Sequence, residues 1–198
     1  MNYLGHIYLS GLNEPLMVGN FIGDYVKGKR FMSYPDEIQR GILYHRAIDH
    51  YTDQNPHWQS VRELLRPLYG RYAGVVADVF TDHFLAANWQ QFSDMQLAWQ
   101  AKWAYAALLK HFDQLPHRVQ GFLPFLIQHR RLQSYATFEG IEVSLEIMSK
   151  YTSLPDNTSR AMRLLHDEYQ PLKKHATSFV AAISRHRDEL LNIATAIK

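Results

Sequence analysis

Apolar residues recur along this chain every three or four positions, with little of the alternation that marks a β-strand. This period predicts α-helices separated by short segments rich in Gly, Pro, Ser, Asn or Asp. The predicted helices cover about 3–12, 16–29, 35–54, 58–66, 72–91, 93–115, 120–127 and 132–151, and a long last helix follows 153–157 with a kink near Pro171. There is no repeat or linker, and we expect one compact all-α domain over residues 1–198.

Three glycines interrupt the second predicted helix, namely Gly19, Gly23 and Gly28. Each of them costs a helix roughly 1 kcal/mol relative to Ala. Small residues spaced four positions apart also let a second backbone approach closely. We therefore expect this helix to lie in a crowded centre of the fold.

Composition narrows the classes of protein that fit. The 21 Lys and Arg residues nearly balance the 19 Asp and Glu residues, and a net charge of +2 excludes a polybasic nucleic-acid-binding tail or an acidic disordered region. The absence of cysteine excludes a disulfide scaffold, a thiolate zinc site, an iron–sulfur cluster and a thiol nucleophile. No stretch reaches the roughly 18 consecutive apolar residues of a membrane span, and the first residues lack the basic region of a signal peptide. We expect a cytoplasmic protein that binds no nucleic acid and does not span a membrane.

Several common catalytic motifs are absent or incomplete. Residues 23–30 (GDYVKGKR) match a phosphate-binding P-loop at every position except the last, where Arg30 stands and magnesium needs a hydroxyl. The motifs Glu-x-x-His, His-Glu-x-x-His and Gly-x-Ser-x-Gly do not occur. The sequence therefore gives no specific support to a P-loop, di-iron or serine-nucleophile enzyme.

The third predicted helix places two polar residues among apolar ones. At 100° per residue, His45 and Asp49 continue the stripe that Ile38 and Ile42 begin. This stripe should face inward, because further apolar residues cover other parts of the same helix. An ionised carboxylate buried alone is costly, so Asp49 needs a charged partner, a metal ion or several hydrogen bonds.

Other polar residues repeat this pattern. Asp78 and Asp82 lie in the apolar stripe of the fifth predicted helix, and His83 is adjacent to Asp82 and within reach of the same centre. Asp24 follows apolar residues on the second helix. The apolar residues near His6 indicate less clearly which way its side chain faces. Taken singly, each of these residues is more often a hydrogen-bonded core residue than a ligand. Taken together, they favour a divalent metal centre of the hydrolytic kind.

Four sequence blocks in the first 90 residues resemble those of one protein family. They are residues 1–6 (MNYLGH), 19–24 (GNFIGD), 45–49 (HRAID) with 52–53 (TD), and 78–85 (DVFTDHFL) with Trp89. In this pattern the chain resembles the acyl carrier protein phosphodiesterases, also called holo-acyl-carrier-protein hydrolases. Beyond residue 90 the resemblance is looser, and Lys150 stands where the family often has Arg.

The resemblance implies a fold, a cofactor and a reaction. The fold would be all-helical and distantly similar to the HD phosphohydrolases. The cofactor would be a divalent metal ion, with Mn²⁺ preferred and Mg²⁺ or Fe²⁺ as alternatives. The reaction would hydrolyse the phosphodiester that joins 4′-phosphopantetheine to a serine of holo-acyl carrier protein, which leaves apo-carrier protein.

The matching blocks also imply roles for their residues. The resemblance implies that six positions are functional, namely His6, Asp24, His45, Asp49, Asp82 and His83. Among them we infer that the implied metal ligands are Asp24, His45, Asp82 and His83. His6 would donate a proton to the serine leaving group, and Asp49 would either bind the metal or orient an imidazole. Arg46 would hold the phosphate in a bidentate contact, unless it forms a structural pair with Asp49, Asp53 or Asp78.

The implied partner predicts a basic docking surface. Acyl carrier proteins are strongly acidic, so the enzyme should carry cations near the mouth of its site. Lys27, Lys29 and Arg30 follow Asp24 on the predicted second helix and are the candidate surface, with the pair Arg130-Arg131 in reserve.

Two other functions stay open at the level of sequence. One is a metal phosphohydrolase that acts on a nucleotide or another small phosphodiester. The other is a non-catalytic helical module that binds a carrier protein and uses the polar cluster only to hold its helices together.

Overall fold

Helices account for nearly all the regular structure of this chain. The computed structural model describes residues 1–196, of which 84% are helical and none lies in a β-strand. The prediction of a single all-α domain is confirmed, while the distant similarity to HD phosphohydrolases stays a prediction. The α-helices are α1 (Tyr3–Ser10), α2 (Glu14–Ile22), α3 (Asp36–Gln54), α4 (Pro56–Tyr69), α5 (Ala73–Ala87), α6 (Leu97–Lys110), α7 (His117–Gln128), α8 (Arg131–Ser134), α9 (Phe138–Tyr151), α10 (Thr158–Asp167), α11 (Tyr169–Arg185) and α12 (Arg187–Ala196).

The second helix is shorter than its hydrophobic spacing predicts. α2 ends at Ile22, and two 3₁₀ helices, Gly23–Tyr25 and Gly28–Ser33, follow it. Gly28 has a φ of 59°, in the left-handed region that favours glycine, and it breaks the helical path. The prediction that the basic residues 27–30 continue the same helix is therefore wrong.

The long last helix is divided into three. α10 ends at Asp167 and α11 begins at Tyr169, so the break comes just before the predicted kink. Pro171 lies in the first turn of α11, where its missing N–H removes no intrahelical hydrogen bond. The predicted helix over 132–151 is also divided, because Thr137 Oγ1 accepts a hydrogen bond from Gly140 N at 3.1 Å and caps the start of α9.

The centre of the fold is built by α1, α2, α3 and α5. Their inward side chains include Leu4, Phe21, Ile42 and Phe80, each at most 2% exposed. These four helices carry every one of the residues that the candidate site contains, apart from Asp24. Among residues 1–196, no helix combines the length and the apolar character that crossing a membrane requires.

The backbones of α2 and α3 touch at two glycines. A Cβ atom on Gly19 would lie 2.2 Å from Ile38 O, and one on Gly41 would lie 2.3 Å from Leu16 O. Only glycine fits at either position without moving a helix. This contact is the close backbone approach that the glycine spacing of the second helix predicts.

Candidate metal centre

Asn20 is a buried amide on α2 that contacts two imidazoles. Its Nδ2 donates to His6 O at 2.9 Å and to Ser10 Oγ at 2.8 Å, which fixes the orientation of the amide. Its Oδ1 therefore accepts a hydrogen bond from His6 Nδ1 at 2.7 Å. The main-chain oxygen of Asn20 accepts another from His45 Nδ1 at 2.8 Å. Both imidazoles thus carry a proton on Nδ1.

The Nε2 atoms of the same two imidazoles face the carboxylate of Asp49. His45 Nε2 lies 3.0 Å from Asp49 Oδ2, and His6 Nε2 lies 3.4 Å from Oδ1. The two rings stack with their centroids 4.0 Å apart. His6 Nε2 is also 3.0 Å from Met1 O, and His45 Nε2 is buried without an aligned hydrogen bond to any residue in 1–196. When both imidazoles are neutral, the lone pairs of their two Nε2 atoms point toward the oxygens of Asp49 and Met1. A cation among these atoms would stabilise this arrangement.

The cluster is closed on its imidazole side and open on its carboxylate side. The side chains of His6 and His45 are 4% and 5% exposed, whereas those of Asp49 and Asp24 are 43% and 69% exposed. Asp24 Oδ1 lies 3.7 Å from His45 Nε2, at the rim. A substrate can therefore reach the centre only past the two carboxylates.

The pKa shifts follow from burial and from this convergence. Burial disfavours the charged form of His45, but the carboxylates of Asp24 and Asp49 outweigh it and raise the pKa to about 9. Burial, followed by the charge of His45, lowers the pKa of His6 to about 4. Burial alone would raise the pKa of Asp49, yet the two imidazoles hold that pKa below its usual range. The contact with His45 also lowers the pKa of Asp24. The centre thus stabilises negative charge on both carboxylates.

The donor set is compatible with a divalent cation. His6, His45 and Asp49 each offer one ligand atom, and these atoms lie within 4.8 Å of one another. Imidazole nitrogens combined with carboxylate oxygens suit ions such as Mn²⁺ and Fe²⁺. Metal-bound histidines commonly donate their other ring N–H to a carbonyl or carboxylate, as both rings here do to Asn20. A cation among these atoms would also give His45 Nε2 the partner that it lacks.

Comparison with known proteins places the chain in a family. The model of a family described as acyl carrier protein phosphodiesterase matches residues 1–183. The chain belongs to this family. It is therefore a phosphodiesterase, a class of hydrolase.

Curated relatives carry the same description. The chain is 30% identical over 186 residues to an acyl carrier protein phosphodiesterase of Yersinia pestis, which covers 93% of this chain and 96% of the relative. It is 32% identical to one of Enterobacter sp. (strain 638), over 88% of each chain. It is 31% identical to one of Klebsiella pneumoniae (strain 342), over 98% of this chain and 97% of the relative. No solved structure matches the chain.

Asp82, one of the implied metal ligands, lies on α5 with its carboxylate against the first turn of α1 and outside the cluster. Its carboxylate is fully buried and accepts hydrogen bonds from Leu4 N at 2.8 Å and Gly5 N at 3.1 Å. Both oxygens are thus occupied by the first turn of the helix that carries His6. Burial raises the pKa of Asp82 to about 7. In this family member the block that contains Asp82 positions α1.

His83, the second implied ligand of that block, also points elsewhere. Its Nδ1 donates to Tyr135 O at 2.8 Å, and its Nε2 is buried without a hydrogen-bond partner in the described part of the chain. The rings of Phe138 and Tyr169 have centroids 5.5 and 6.0 Å from its own. Burial lowers the pKa of His83. This side chain therefore joins α5 to the segment before α9 through a hydrogen bond, and to α9 and α11 through aromatic contacts.

Arg46 holds the backbone of the segment that follows Asp24. Its Nη2 donates to Val26 O at 3.0 Å and to Gly28 O at 2.8 Å, and its guanidinium lies 5.2 Å from the centroid of the Phe31 ring. Within residues 1–196, Arg46 forms no ion pair with Asp49, Asp53 or Asp78. These contacts give Arg46 a positioning role, and its implied contact with phosphate stays a prediction.

The basic docking candidates are exposed, while one member of the reserve pair is not. Lys27, Lys29 and Arg30 lie on the surface, and Lys27 Nζ is 3.7 Å from Asp24 Oδ1. Arg131 is only 9% exposed and donates to Gly140 O at 2.9 Å and to Ser144 Oγ. The pair Arg130-Arg131 is therefore not a basic surface.

Asn20 is the important residue that reasoning from sequence alone missed. It lies in the block 19–24, between Gly19 and Phe21, on a helix that is otherwise apolar at that point. A polar amide in such a position must find buried partners. That signal was present in the sequence, but only the fold shows that the partners are His6 and His45.

Proposed function

We propose that this chain hydrolyses the phosphodiester that joins 4′-phosphopantetheine to a serine of holo-acyl carrier protein. Its relatives are described as acyl carrier protein phosphodiesterases, and its own cluster has the donors that a divalent metal ion needs. The observation that carries the proposal is the direction of the two Nε2 atoms. Asn20 holds both Nδ1 atoms, so both Nε2 atoms converge on Asp49.

The proposed ligands are His6, His45 and Asp49, with Asp24 as the ligand at the exposed rim. His6 has no nitrogen left for a proton donor, because Nδ1 is bonded to Asn20 and Nε2 faces the cluster. A divalent ion bound here would draw charge from the phosphate oxygens and lower the pKa of a water molecule. We retain Mn²⁺ as the preferred ion and the cytoplasm as the location.

The reaction makes one bond to phosphorus and breaks another. The water oxygen attacks the phosphorus and gives up one proton, the bond from phosphorus to the serine oxygen breaks, and the serine oxygen takes up one proton in exchange. The products are apo-carrier protein and free 4′-phosphopantetheine. Asp24 and Asp49 form the open side of the centre, where they would hold the metal ion and offset its charge, while Asn20 keeps both imidazoles fixed.

Holo-acyl carrier protein gives a direct test by mass spectrometry. The enzyme is first freed of metal with a chelator, and Mn²⁺, Mg²⁺ or Fe²⁺ is then added. We expect the carrier protein to lose its prosthetic group only when a metal ion is present. We expect His45→Ala to lose at least 100-fold in rate, while His117→Ala, at an exposed position on α7, retains the normal rate.

Two outcomes would contradict the proposal. Full activity in the presence of chelator would remove the metal from the mechanism. Hydrolysis of small phosphodiesters without any hydrolysis of holo-carrier protein would favour a small-molecule phosphohydrolase instead.

A further inference from the structure

A basic pocket lies at the turn between α4 and α5, outside the candidate metal centre. Its volume is about 450 Å³. It is lined by Arg62, Arg66, Gly70, Arg71, Ala73 and Gly74. Half of these residues are arginines, although the chain as a whole has a net charge of only +2. Positive charge is thus concentrated where the proposed reaction does not use it.

Neighbouring side chains hold the three arginines in place. The Arg62 guanidinium lies 5.5 Å from the centroid of the Trp58 ring. Arg71 lies 4.8 Å from the centroid of the Tyr72 ring and donates to its hydroxyl at 2.9 Å. One acidic residue, Glu63, pairs with Arg62 and with Arg66. Three arginines and one glutamate leave an excess of positive charge at the pocket.

The backbone of the pocket also favours an anion. Gly70 has a φ of 51°, and no atom lies within 4 Å of where its Cβ would be, so this side of the pocket is bare backbone. α5 begins at Ala73 without a side chain that caps it. The N–H of Ala73 donates to Gly70 O, and the partial positive charge of this helix N-terminus adds to that of the arginines.

A chain of short contacts connects the pocket to the metal centre. Trp58, on which Arg62 lies, donates its Nε1 to Asp78 Oδ1 at 2.9 Å. The same oxygen is 2.9 Å from the Met1 nitrogen, and Met1 O is 3.0 Å from His6 Nε2. The arginine pocket and the cluster are therefore linked through the packed residues Trp58, Asp78 and Met1.

We infer that the pocket docks an acidic segment of the protein substrate, whose carboxylate side chains pair with Arg66 and Arg71. This inference rests on the proposed function, in which the substrate is itself a folded protein. The arginines surround an open pocket and stay exposed or half-exposed, which suits a partner that binds and leaves again. Bidentate pairing between guanidinium and carboxylate gives such a contact its direction.

Binding of apo-carrier protein tests docking without hydrolysis, because the apo form has no phosphodiester. We expect Arg66→Glu/Arg71→Glu to weaken this binding at least tenfold, as measured by calorimetry at low ionic strength. The matched control is Lys102→Glu/Arg185→Glu, which reverses two exposed charges on α6 and α11. It should change the dissociation constant less than twofold, and both variants should melt at the normal temperature.

Kinetics separate this inference from the proposed function. We expect Arg66→Glu/Arg71→Glu to raise the KM for holo-carrier protein, measured with Mn²⁺. The factor of this increase should be at least ten times the factor by which the variant changes kcat/KM for a small phosphodiester. Unchanged carrier-protein binding in this variant would overturn the docking role even if hydrolysis continues. Wild-type enzyme that does not bind carrier protein would overturn it as well. A variant that alters only inhibition by inorganic phosphate would identify the pocket as a site for a free anion.

Discussion

At the scale of single residues, one buried amide determines what two imidazoles can do. Asn20 accepts from His6 Nδ1 through its side chain and from His45 Nδ1 through its main chain. Neither ring can then rotate or change tautomer without losing a buried hydrogen bond, which costs about 1–3 kcal/mol. Both Nε2 atoms are thereby held facing Asp49, in the position from which they would bind a cation once His45 loses its second proton.

Replacing this amide should therefore weaken metal binding. We expect Asn20→Ala to lower the affinity for Mn²⁺ by about 10–100-fold, since that is the usual cost of removing a group that orients a ligand. Calorimetric titration of the chelator-treated protein measures the effect without any substrate. Asn88→Ala is the matched control, because Asn88 also donates to a main-chain oxygen but at the end of α5. The bond from His45 to the main-chain oxygen persists in this variant, so equal affinities in both variants would show that the Asn20 side chain does not orient His6.

Asp82 illustrates a buried carboxylate that stabilises a helix. Its pKa is raised from 3.8 to about 7, so the folded state holds this proton more tightly than the unfolded state does. The contribution of Asp82 to the unfolding free energy is therefore largest below pH 4 and falls as the pH rises through 7. Three pKa units correspond to a change of about 4 kcal/mol.

Asp82→Asn provides the comparison, because the amide does not titrate. The unfolding free energy of wild type minus that of the variant should decrease between pH 4 and pH 8, as measured by urea denaturation of the metal-free protein. A difference that stays constant or grows with pH would contradict the raised pKa.

The sequence predicted the kinds of residue that form the centre better than it predicted which individual residues belong to it. His45 and Asp49 were predictable, because both continue an apolar stripe on one helix. Asp82 satisfies the same criterion, yet it accepts backbone N–H groups, which a pattern of side chains does not reveal. Periodicity reports that a polar residue is buried, and only the tertiary fold supplies its partner. The metal-ligand roles themselves stay predictions.

At the scale of helices, the crossing of α2 and α3 assembles the site. Gly19 and Gly41 bring the two backbones into contact, with Asn20 next to one glycine and His45 four residues after the other. Gly23 continues this surface, since a Cβ there would lie 2.2 Å from the His45 ring. The sequence predicted the close approach but not the end of α2, because a glycine permits a helix and a turn alike.

A methyl group at this crossing should disturb both stability and metal binding. We expect Gly41→Ala to lower the unfolding free energy by at least about 1–3 kcal/mol, because its Cβ would meet Leu16 O and the Gly19 backbone. Separation of the helices would also weaken Mn²⁺ binding. Gly121→Ala on α7 is the control, since no atom lies within 4 Å of its Cβ, and it should stabilise by roughly 0.5–1 kcal/mol. Similar melting temperatures for the two variants would refute a contact specific to the crossing.

At the scale of the whole molecule, charge is distributed unevenly on a nearly neutral protein. A net charge of +2 gives little long-range attraction, so recognition of an acidic partner must come from local clusters. The segment 27–30 is one such cluster and lies beside Asp24, where Arg46 donates to Gly28 O within the segment and to Val26 O just before it. The arginine pocket between α4 and α5 is another.

Reversal of the first cluster should raise KM for the carrier protein much more than it alters the hydrolysis of a small phosphodiester. The variant is Lys27→Glu/Lys29→Glu/Arg30→Glu, and all three side chains are exposed, so folding should not change. Exposed charges are screened over about 8–10 Å at physiological salt, so KM of the wild type should rise with ionic strength and that of the variant should rise less. Steady-state kinetics from low to high NaCl measure both effects, with Lys102→Glu/Arg185→Glu as the control. Equal losses on both substrates would mean that the cluster serves the chemistry or the fold. A KM that responds neither to salt nor to the substitutions would show that the segment 27–30 takes no part in docking.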